Sequence, residues 1–93
     1  MDFEWDEAKS ERNRVVRDLP FALAIELFDG QTLEQADNRR DYGEKRLQAI
    51  GLVGNLIVVC IYTDRGAARR IISLRRANRQ RAQWLSCDVP VLT

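Results

Sequence analysis

The spacing of apolar residues along the chain changes from a helical period to a strand period near Gly30. Residues 7–17 follow Asp6, which can cap a helix. Their acids lie in the first half of the segment and their arginines in the second, as the helix dipole favours. Residues 20–29 carry apolar side chains at helical spacing between Pro20 and Gly30, which are typical first and terminating residues of a helix. The pattern therefore predicts two helices in the first third of the chain.

Beyond Gly30 the apolar residues occur in short runs that are typical of β-strands. Residues 56–63 are continuously apolar and rich in β-branched side chains, which predicts a central strand buried on both faces. The short turns between the runs favour an antiparallel meander, because they have the length of hairpin connections. The predicted strands cover residues 31–36, 46–53, 56–63 and 69–76, and the alternation of Phe3 to Trp5 predicts a further short strand.

The end of the chain completes the predicted fold. A short helix is predicted over residues 78–85, and Pro90 indicates that residues 86–93 form an irregular tail. The sequence thus predicts a single α+β domain over residues 1–93, with two N-terminal helices packed on a curved antiparallel sheet and a short C-terminal helix. The second helix is expected to cover one face of the sheet, and the other face is expected to look outward.

The composition excludes several classes of protein. A chain of 93 residues with 45% apolar and 31% charged residues has the composition of an ordinary globular domain and not that of a disordered chain. No apolar run approaches the length that spans a membrane, and the acidic N-terminus does not have the pattern of a signal peptide. Two cysteines do not make a disulfide framework, so a reduced, cytoplasmic setting is expected. The absence of histidine argues against a metal site, and no cofactor is expected.

Basic residues are concentrated in the last third of the chain. Residues 1–64 carry 8 basic and 13 acidic side chains, a net charge of −5, whereas residues 65–93 carry 7 basic and 1 acidic, a net charge of +6. All seven bases are arginines, and a guanidinium can hold a phosphate through two parallel hydrogen bonds. Because they interleave with an apolar strand pattern, nucleic acid is the favoured partner, and a solvated charged face is the alternative.

Arginines along the strand at residues 69–76 are expected to alternate between the two faces of the sheet. Strict alternation predicts that Arg69 and Arg75 share one face and that Arg70 and Arg76 share the other. The sequence does not indicate which of the two pairs faces the helices.

A surface of this kind could cleave RNA without a metal ion. A base would remove the proton of a ribose 2′-OH, the oxygen would attack the adjacent phosphate, and an acid would protonate the leaving 5′-oxygen. Without histidine, the candidates for proton transfer are Glu44, Asp64, Tyr42 and Tyr62, of which the two carboxylates are preferred. Structural roles stay open for both, Asp64 as a turn residue and Glu44 as a surface partner of Arg46.

The closing motif RIIS-x-RRA-x-R at residues 70–79 and the opening FEWDEAK at residues 3–9, followed by Asn13, resemble the BrnT family of type II toxin–antitoxin ribonucleases. The resemblance extends from about Phe3 to Trp84. It implies a RelE-like fold, an RNA-cleaving activity that inhibits translation and growth, and silencing by an antitoxin with a ribbon-helix-helix domain. Operator DNA would be bound only through that antitoxin, in a mixed assembly.

The resemblance also implies a site. Arg75 and Arg79 would hold phosphates at the catalytic centre, with Glu44 or Asp64 assisting proton transfer. Further contacts with RNA are expected from Arg46, Arg65, Arg70 and Arg76.

One departure from the family pattern leaves the activity open. The family usually has Lys-His-Gly after the first helix, where this chain has Val16, Arg17 and Asp18. If that histidine assists catalysis in relatives, this chain would be slow or inactive, or would rely on Arg17. Three hypotheses therefore stand: an RNA-cleaving toxin, a catalytically degenerate homologue that binds its partner and regulates an operon, and a plain protein–protein interaction domain.

Overall fold

The computed structural model describes residues 1–38 and 41–77, which form a five-stranded sheet and two helices. The elements are β1 (Asp2–Trp5), α1 (Glu7–Arg17), α2 (Leu23–Asp29), β2 (Thr32–Ala36), β3 (Leu47–Val53), β4 (Leu56–Arg65) and β5 (Ala68–Arg76).

The sheet is mixed, with the strand order β1-β5-β4-β3-β2. Strands β2 to β5 form an antiparallel meander, whereas β1 pairs with β5 in parallel, with Phe3 opposite Arg69. The prediction of two N-terminal helices on an antiparallel sheet closed by a C-terminal helix is therefore wrong. Strands dominate the described regular structure, and both helices are short. The predicted helix at 78–85 and tail at 86–93 lie outside the described residues.

The two helices begin differently from each other. The carboxylate of Asp6 accepts hydrogen bonds from the backbone N–H groups of Ala8 and Lys9, at 2.9 and 3.2 Å, which confirms the predicted cap of α1. The chain at Pro20 forms only a tight turn, in which the N–H of Leu23 bonds to the Pro20 carbonyl at 3.0 Å. Helix α2 therefore begins three residues later than the position of the proline predicts.

The core lies mainly between α2 and the sheet, and β4 is its central strand. Val58, Cys60 and Tyr62 of β4 join the cluster that packs against α2. The intervening Val59 belongs to a second cluster with Ile50, so the central strand is buried on both faces as predicted. The expectation that the second face looks outward is wrong at its centre, where Ile50 and Val59 are at most 1% exposed.

A β-bulge interrupts the alternation of side chains in β5. Tyr62 of β4 lies opposite Ile71. The preceding residue of β4, Ile61, lies opposite Ser73, so Ile72 is an extra residue without a partner in the ladder. A single extra residue moves every later side chain to the opposite face of the sheet.

The bulge changes which arginines share a face. The β4 partners of Arg69 and Arg76 belong to the set of residues that point toward α2, so these two arginines lie on the helix side. Arg70 and Arg75 lie on the other side by the same argument. The pairing expected from strict alternation is therefore wrong, because the sequence of β5 gives no signal for the bulge.

Helix α1 ends with Asp18 in the left-handed conformation, with φ 59° and ψ 32°. The N–H of Asp18 donates to the carbonyl of Arg14 at 2.9 Å, which is the hydrogen bond of an αL helix end. Glycine suits this position best, because it has no Cβ to oppose a positive φ. The BrnT resemblance places a glycine here, and Asp18 stands in its place.

We expect Asp18→Gly to raise the free energy of unfolding by about 1 kcal/mol, because the left-handed conformation costs a residue with a Cβ about that amount. Urea denaturation would measure the change. The variant also removes a negative charge from a helix C-terminus, where the dipole disfavours it. Asp18→Ala removes the same charge but keeps a Cβ, so it should stabilise less. Equal stability of the two variants would contradict the conformational explanation.

Candidate functional site

The described residues that were predicted from the sequence to form the site lie at two opposite ends of the β4–β5 hairpin. Asp64 and Arg65 are at the turn end, where β4 passes into β5. Arg75 and Arg76 are at the far end, where Arg76 lies opposite Val58. Along β4, Val58 and Arg65 are about 23 Å apart, at about 3.3 Å per residue. Among the described residues, the structure therefore does not bring the predicted ones together in one site.

At the turn end, Glu44 is held by two arginines. Its carboxylate accepts a hydrogen bond from Arg65 at 3.1 Å and a longer one from Arg46 at 3.4 Å. The Arg46 guanidinium also lies 4.0 Å from the centre of the Tyr42 ring. The Arg65 hydrogen bond, with a smaller effect of Arg46, holds the pKa of Glu44 below its usual value. A carboxylate stabilised in this way is a weak proton acceptor.

Asp64 belongs to a second polar network at the same end. It accepts two hydrogen bonds from Arg69, at 2.8 and 3.1 Å. The Arg69 guanidinium lies 4.6 Å from the centre of the Phe28 ring and 4.2 Å from that of Tyr62. The Tyr62 hydroxyl donates to Glu34. Burial raises the pKa of Tyr62, and the bond to Glu34 raises it further, so the phenol stays protonated at neutral pH.

Ion pairs thus occupy most of the predicted RNA-binding arginines. Arg70 lies 3.7 Å from Glu4 of β1, in addition to the pairs that Glu44 makes with Arg46 and Arg65. Arg79 lies outside the described residues.

A groove runs between α1 and the edge of β5 at the far end of the hairpin. Strand β1 pairs with β5 only as far as Ile71, so it does not extend along residues 72–76. Two adjoining pockets, of about 270 and 380 Å³, form the groove and share Val16 and Arg17 in their linings. We call it the basic groove, because its lining contains the cations Lys9, Arg12, Arg17, Arg75 and Arg76 and, within the described chain, no acid.

Helix α1 contributes one face to the basic groove. The residues that line it recur every three or four positions, which places them on the same side of a helix. They are Lys9, Arg12, Asn13, Val16 and Arg17. The helical spacing of these cations in the sequence marks this face of α1 as clearly as apolar residues mark a core face.

Two side chains of α1 form hydrogen bonds that fix the walls of the groove relative to each other. The side-chain amide of Asn13 donates to the carbonyl of Leu74 at 2.8 Å and also to that of Leu19. One turn earlier, the buried hydroxyl of Ser10 accepts a hydrogen bond from the N–H of Phe21 at 2.9 Å. Leu74 immediately precedes Arg75 and Arg76, so Asn13 sets the distance between these two residues and α1.

The family comparison matches residues 5–80 to a model described as the ribonuclease toxin, BrnT, of type II toxin-antitoxin systems. The chain belongs to the BrnT family. The matched region contains both walls of the basic groove, and the family expected from the sequence is confirmed. Membership in BrnT implies ribonuclease activity and an antitoxin partner. A comparison with curated proteins finds no significant match.

The charge of the groove suits the substrate of a BrnT ribonuclease. The exposed Arg17 and Arg76 form no ion pair with any residue that the structure describes. A concave surface of one sign attracts a polyanion, and RNA is one. In residues 1–38 and 41–77 no three ligand-type side chains lie close enough to bind a metal ion, and no helix is long and apolar enough to cross a bilayer.

A nucleophilic thiol is also missing from the described part of this BrnT chain. Cys60 is fully buried in β4, and burial raises its pKa to about 12. The thiol is therefore protonated at neutral pH and acts as a small apolar core residue.

We expect Glu44→Gln to lower the stability of this BrnT domain near neutral pH and to change its acid dependence. The folded-state pKa of Glu44 is lowered, so its carboxylate stabilises the fold above the ordinary range of about 4.3 and loses this effect as pH falls through the lowered value. Urea unfolding of both proteins between neutral and acid pH should show a difference that shrinks on acidification. A difference independent of pH would contradict the ion-pair explanation.

Proposed function

We propose that this BrnT ribonuclease holds the RNA backbone in the basic groove and cleaves it without a metal ion. The observation that carries the proposal is the pocket of about 380 Å³ lined by Arg17, Arg75 and Arg76 together with Val16. The guanidinium groups of Arg17 and Arg76 offer the planar donor pairs that fit phosphate oxygens. The acids nominated from the sequence are at the other end of the hairpin, so they do not neutralise this pocket.

The reaction would follow from the chemistry of RNA itself. The 2′-OH loses its proton, its oxygen forms a bond to the adjacent phosphorus, and the bond from phosphorus to the 5′-oxygen breaks. The leaving oxygen takes up a proton, and the products end in a 2′,3′-cyclic phosphate and a 5′-OH. Guanidinium groups stabilise the extra negative charge at phosphorus, and one well-aimed donor contributes about 3–4 kcal/mol.

Proton transfer in this groove depends on groups other than Glu44 and Asp64. Both carboxylates lie at the turn end and are bound by arginines. Arg17 stands where the BrnT resemblance expects a histidine, and a guanidinium remains charged at neutral pH and accepts no proton. Since the described lining residues include no histidine, carboxylate or thiol, we propose that hydroxide removes the 2′ proton and that the groove contributes electrostatic stabilisation.

The same lack of a proton acceptor favours a second candidate. A catalytically degenerate BrnT protein would bind RNA or its antitoxin in the basic groove without cleaving RNA, and would act by regulating its operon. In both cases we propose a ribbon-helix-helix antitoxin as the partner, with operator DNA bound only through it. An acidic segment of that antitoxin lying over the groove would neutralise the arginines and exclude RNA.

A matched pair of valines tests the groove. Val15 and Val16 are 68% and 72% exposed on α1, and only Val16 lines the pockets. Val16→Glu places a carboxylate among the cations and should weaken RNA binding at least tenfold, a cost of about 1.4 kcal/mol. Val15→Glu makes the same charge change outside the groove and should bind nearly as the parent does. Equal losses of RNA affinity in the two variants would contradict the proposal that RNA binds in the basic groove.

The products separate the two candidates. Purified protein with single-stranded RNA and a chelator should yield fragments that end in 2′,3′-cyclic phosphate, at a rate that rises with pH. Salt-sensitive binding without fragments would favour the degenerate toxin. If the folded protein neither binds RNA nor produces fragments, both candidate functions are contradicted.

A further inference from the structure

We infer that the surface between α2 and β1 is a docking site for the antitoxin, and that it binds an amphipathic helix whose apolar face is flanked by lysine or arginine. The surface is an open pocket of about 810 Å³, which we call the apolar groove because Met1, Phe3, Leu23, Ile25 and Phe28 line it. It shares no lining residue with the basic groove, so the inference goes beyond the proposed RNA site. It rests on membership in BrnT, which implies an antitoxin partner.

The apolar groove leaves large hydrophobic side chains open to solvent. Ile25 is 46% exposed and Met1 is exposed, whereas Phe3, Leu23 and Phe28 are half-buried. Apolar residues scattered singly over a surface are normal, but a contiguous group rimmed by polar residues is typical of an interaction site. These five side chains line one pocket, so they form a group of that kind.

Aromatic contacts hold the floor of the apolar groove in place. Phe3 lies opposite Arg69 in the sheet, and therefore on the same face as α2. Its ring centre is 5.9 Å from that of Phe28 on α2, in a stacked arrangement. The Arg69 guanidinium lies 4.6 Å from the centre of the same Phe28 ring. A surface that is ordered in advance costs a partner less free energy to bind.

The wall that α2 contributes favours a helix over an extended strand. Ala22, Ile25, Glu26 and Asp29 recur every three or four positions, which places them on one side of α2. The backbone of a helix is engaged in its own hydrogen bonds, so this wall presents side chains. An extended strand lying against it would find no backbone partners there, whereas a helix satisfies its backbone groups internally.

The acidic side chains of the lining determine the charge of the partner. Glu26 and Asp29 are exposed, and neither forms an ion pair with any residue that the structure describes. Arg69, which also lines the apolar groove, already donates two hydrogen bonds to Asp64. Two carboxylates beside an apolar floor are complementary to an apolar helix face that carries lysine or arginine along its flanks.

A second copy of this chain suits the apolar groove less well than the antitoxin. A symmetric dimer buries the same surface of both subunits, so it would bring Glu26 and Asp29 of one copy near the same acids of the other. Like charges that meet across an interface oppose association. The antitoxin is a different chain and is not subject to this constraint.

Matched variants of the full-length protein, titrated with the purified cognate antitoxin in a calorimeter, test the docking site. Glu26→Lys and Glu7→Lys make the same charge change in the first turn of a helix, and only Glu26 lines the apolar groove. We expect Glu26→Lys to weaken antitoxin binding about tenfold, and Glu7→Lys to leave it within about twofold. The difference should shrink as salt is added, because salt screens exposed charges.

A second pair of variants tests the apolar contact. Ile25→Ala should weaken antitoxin binding about tenfold, as truncation of a central interface residue does. Leu56→Ala removes a side chain of similar exposure outside the groove and should leave the affinity within about twofold. Both groove variants should bind RNA as the parent does, because Ile25 and Glu26 do not line the basic groove.

Three results would overturn the docking site. The first is parental antitoxin affinity in Ile25→Ala and Glu26→Lys with a loss confined to Val16→Glu, which would assign the antitoxin to the basic groove. The second is a parent protein that sediments as a dimer and is dissociated by Ile25→Ala, which would assign the apolar groove to a second copy. The third is failure of the parent to bind the antitoxin. Failure to bind RNA would contradict the proposed function alone, because the antitoxin titration contains no RNA.

Discussion

Arg17→Ala is expected to lower the rate of RNA cleavage by about 10²–10³-fold while the protein remains folded, because one preorganised donor to a developing oxyanion contributes about that factor. Arg17 is exposed at the last turn of α1 and forms no ion pair with the described residues, so its removal leaves no buried partner without a charge. Single-turnover cleavage and urea unfolding of the same preparations would measure the two effects.

Two arginines serve as matched controls for this prediction. Arg14 lies one turn earlier on α1 and pairs with Glu11, away from the groove lining. Arg14→Ala should leave cleavage within about twofold, because an exposed ion pair contributes only about 0–1 kcal/mol. On β5, Arg76→Ala should reduce cleavage as Arg17→Ala does, whereas Arg70→Ala, which removes the partner of Glu4, should not. Equal losses from Arg70 and Arg76 would show that overall charge, and not the groove, controls activity.

Arg17→His separates charge stabilisation from proton transfer. A histidine has an ordinary pKa of about 6.5 and can accept a proton near neutrality, which the guanidinium cannot. If proton transfer limits the reaction, the variant should cleave faster than Arg17→Ala and its rate should level off above that pKa. If electrostatic stabilisation limits it, Arg17→His should resemble Arg17→Ala above neutral pH. Growth arrest on induced expression should follow the same order.

The sequence predicted those features of the helices and strands that depend on the type of a few neighbouring residues. Asp6 caps α1 at the predicted residue, and the β-branched run of β4 is buried on both faces. The parallel pairing of β1 with β5 was not predictable in this way, because the two strands are far apart in the chain and no turn marks their register. The extra residue at Ile72 has no sequence signal either, and it alone reverses the faces of Arg75 and Arg76.

The candidate site was only partly predictable for a related reason. Arginine content indicated a polyanion partner, and Arg75 and Arg76 do line the groove. Charge along the chain cannot show which arginines have ion-pair partners, because Arg65 and Arg70 acquire theirs from acids that are distant in sequence. The prediction of α1 rested on its cap and on the order of its charges, and did not identify its cations as the second wall of the groove.

Leu27→Ala is expected to have the largest effect on stability, a loss of about 2–5 kcal/mol in the free energy of unfolding. Leu27 is fully buried in α2 and belongs to the cluster that joins this helix to the sheet. Small domains have a total stability of about 5–15 kcal/mol, so the variant would lose a large fraction of it. Leu56→Ala is the control, because Leu56 is 38% exposed and its truncation should cost about 1 kcal/mol or less.

The contact between Leu27 and Gly51 allows the packing explanation to be tested with a double variant. A Cβ added at Gly51 would lie 2.8 Å from the Cδ1 of Leu27 and 3.0 Å from the carbonyl of Gln31. Gly51→Ala alone should therefore destabilise by about 1–3 kcal/mol through overpacking. In the Leu27→Ala background the new methyl would occupy vacated space, so the double variant should be more stable than the sum of the single losses predicts. Additive losses would show that the backbone near Gln31, and not the leucine, prevents a larger residue at Gly51.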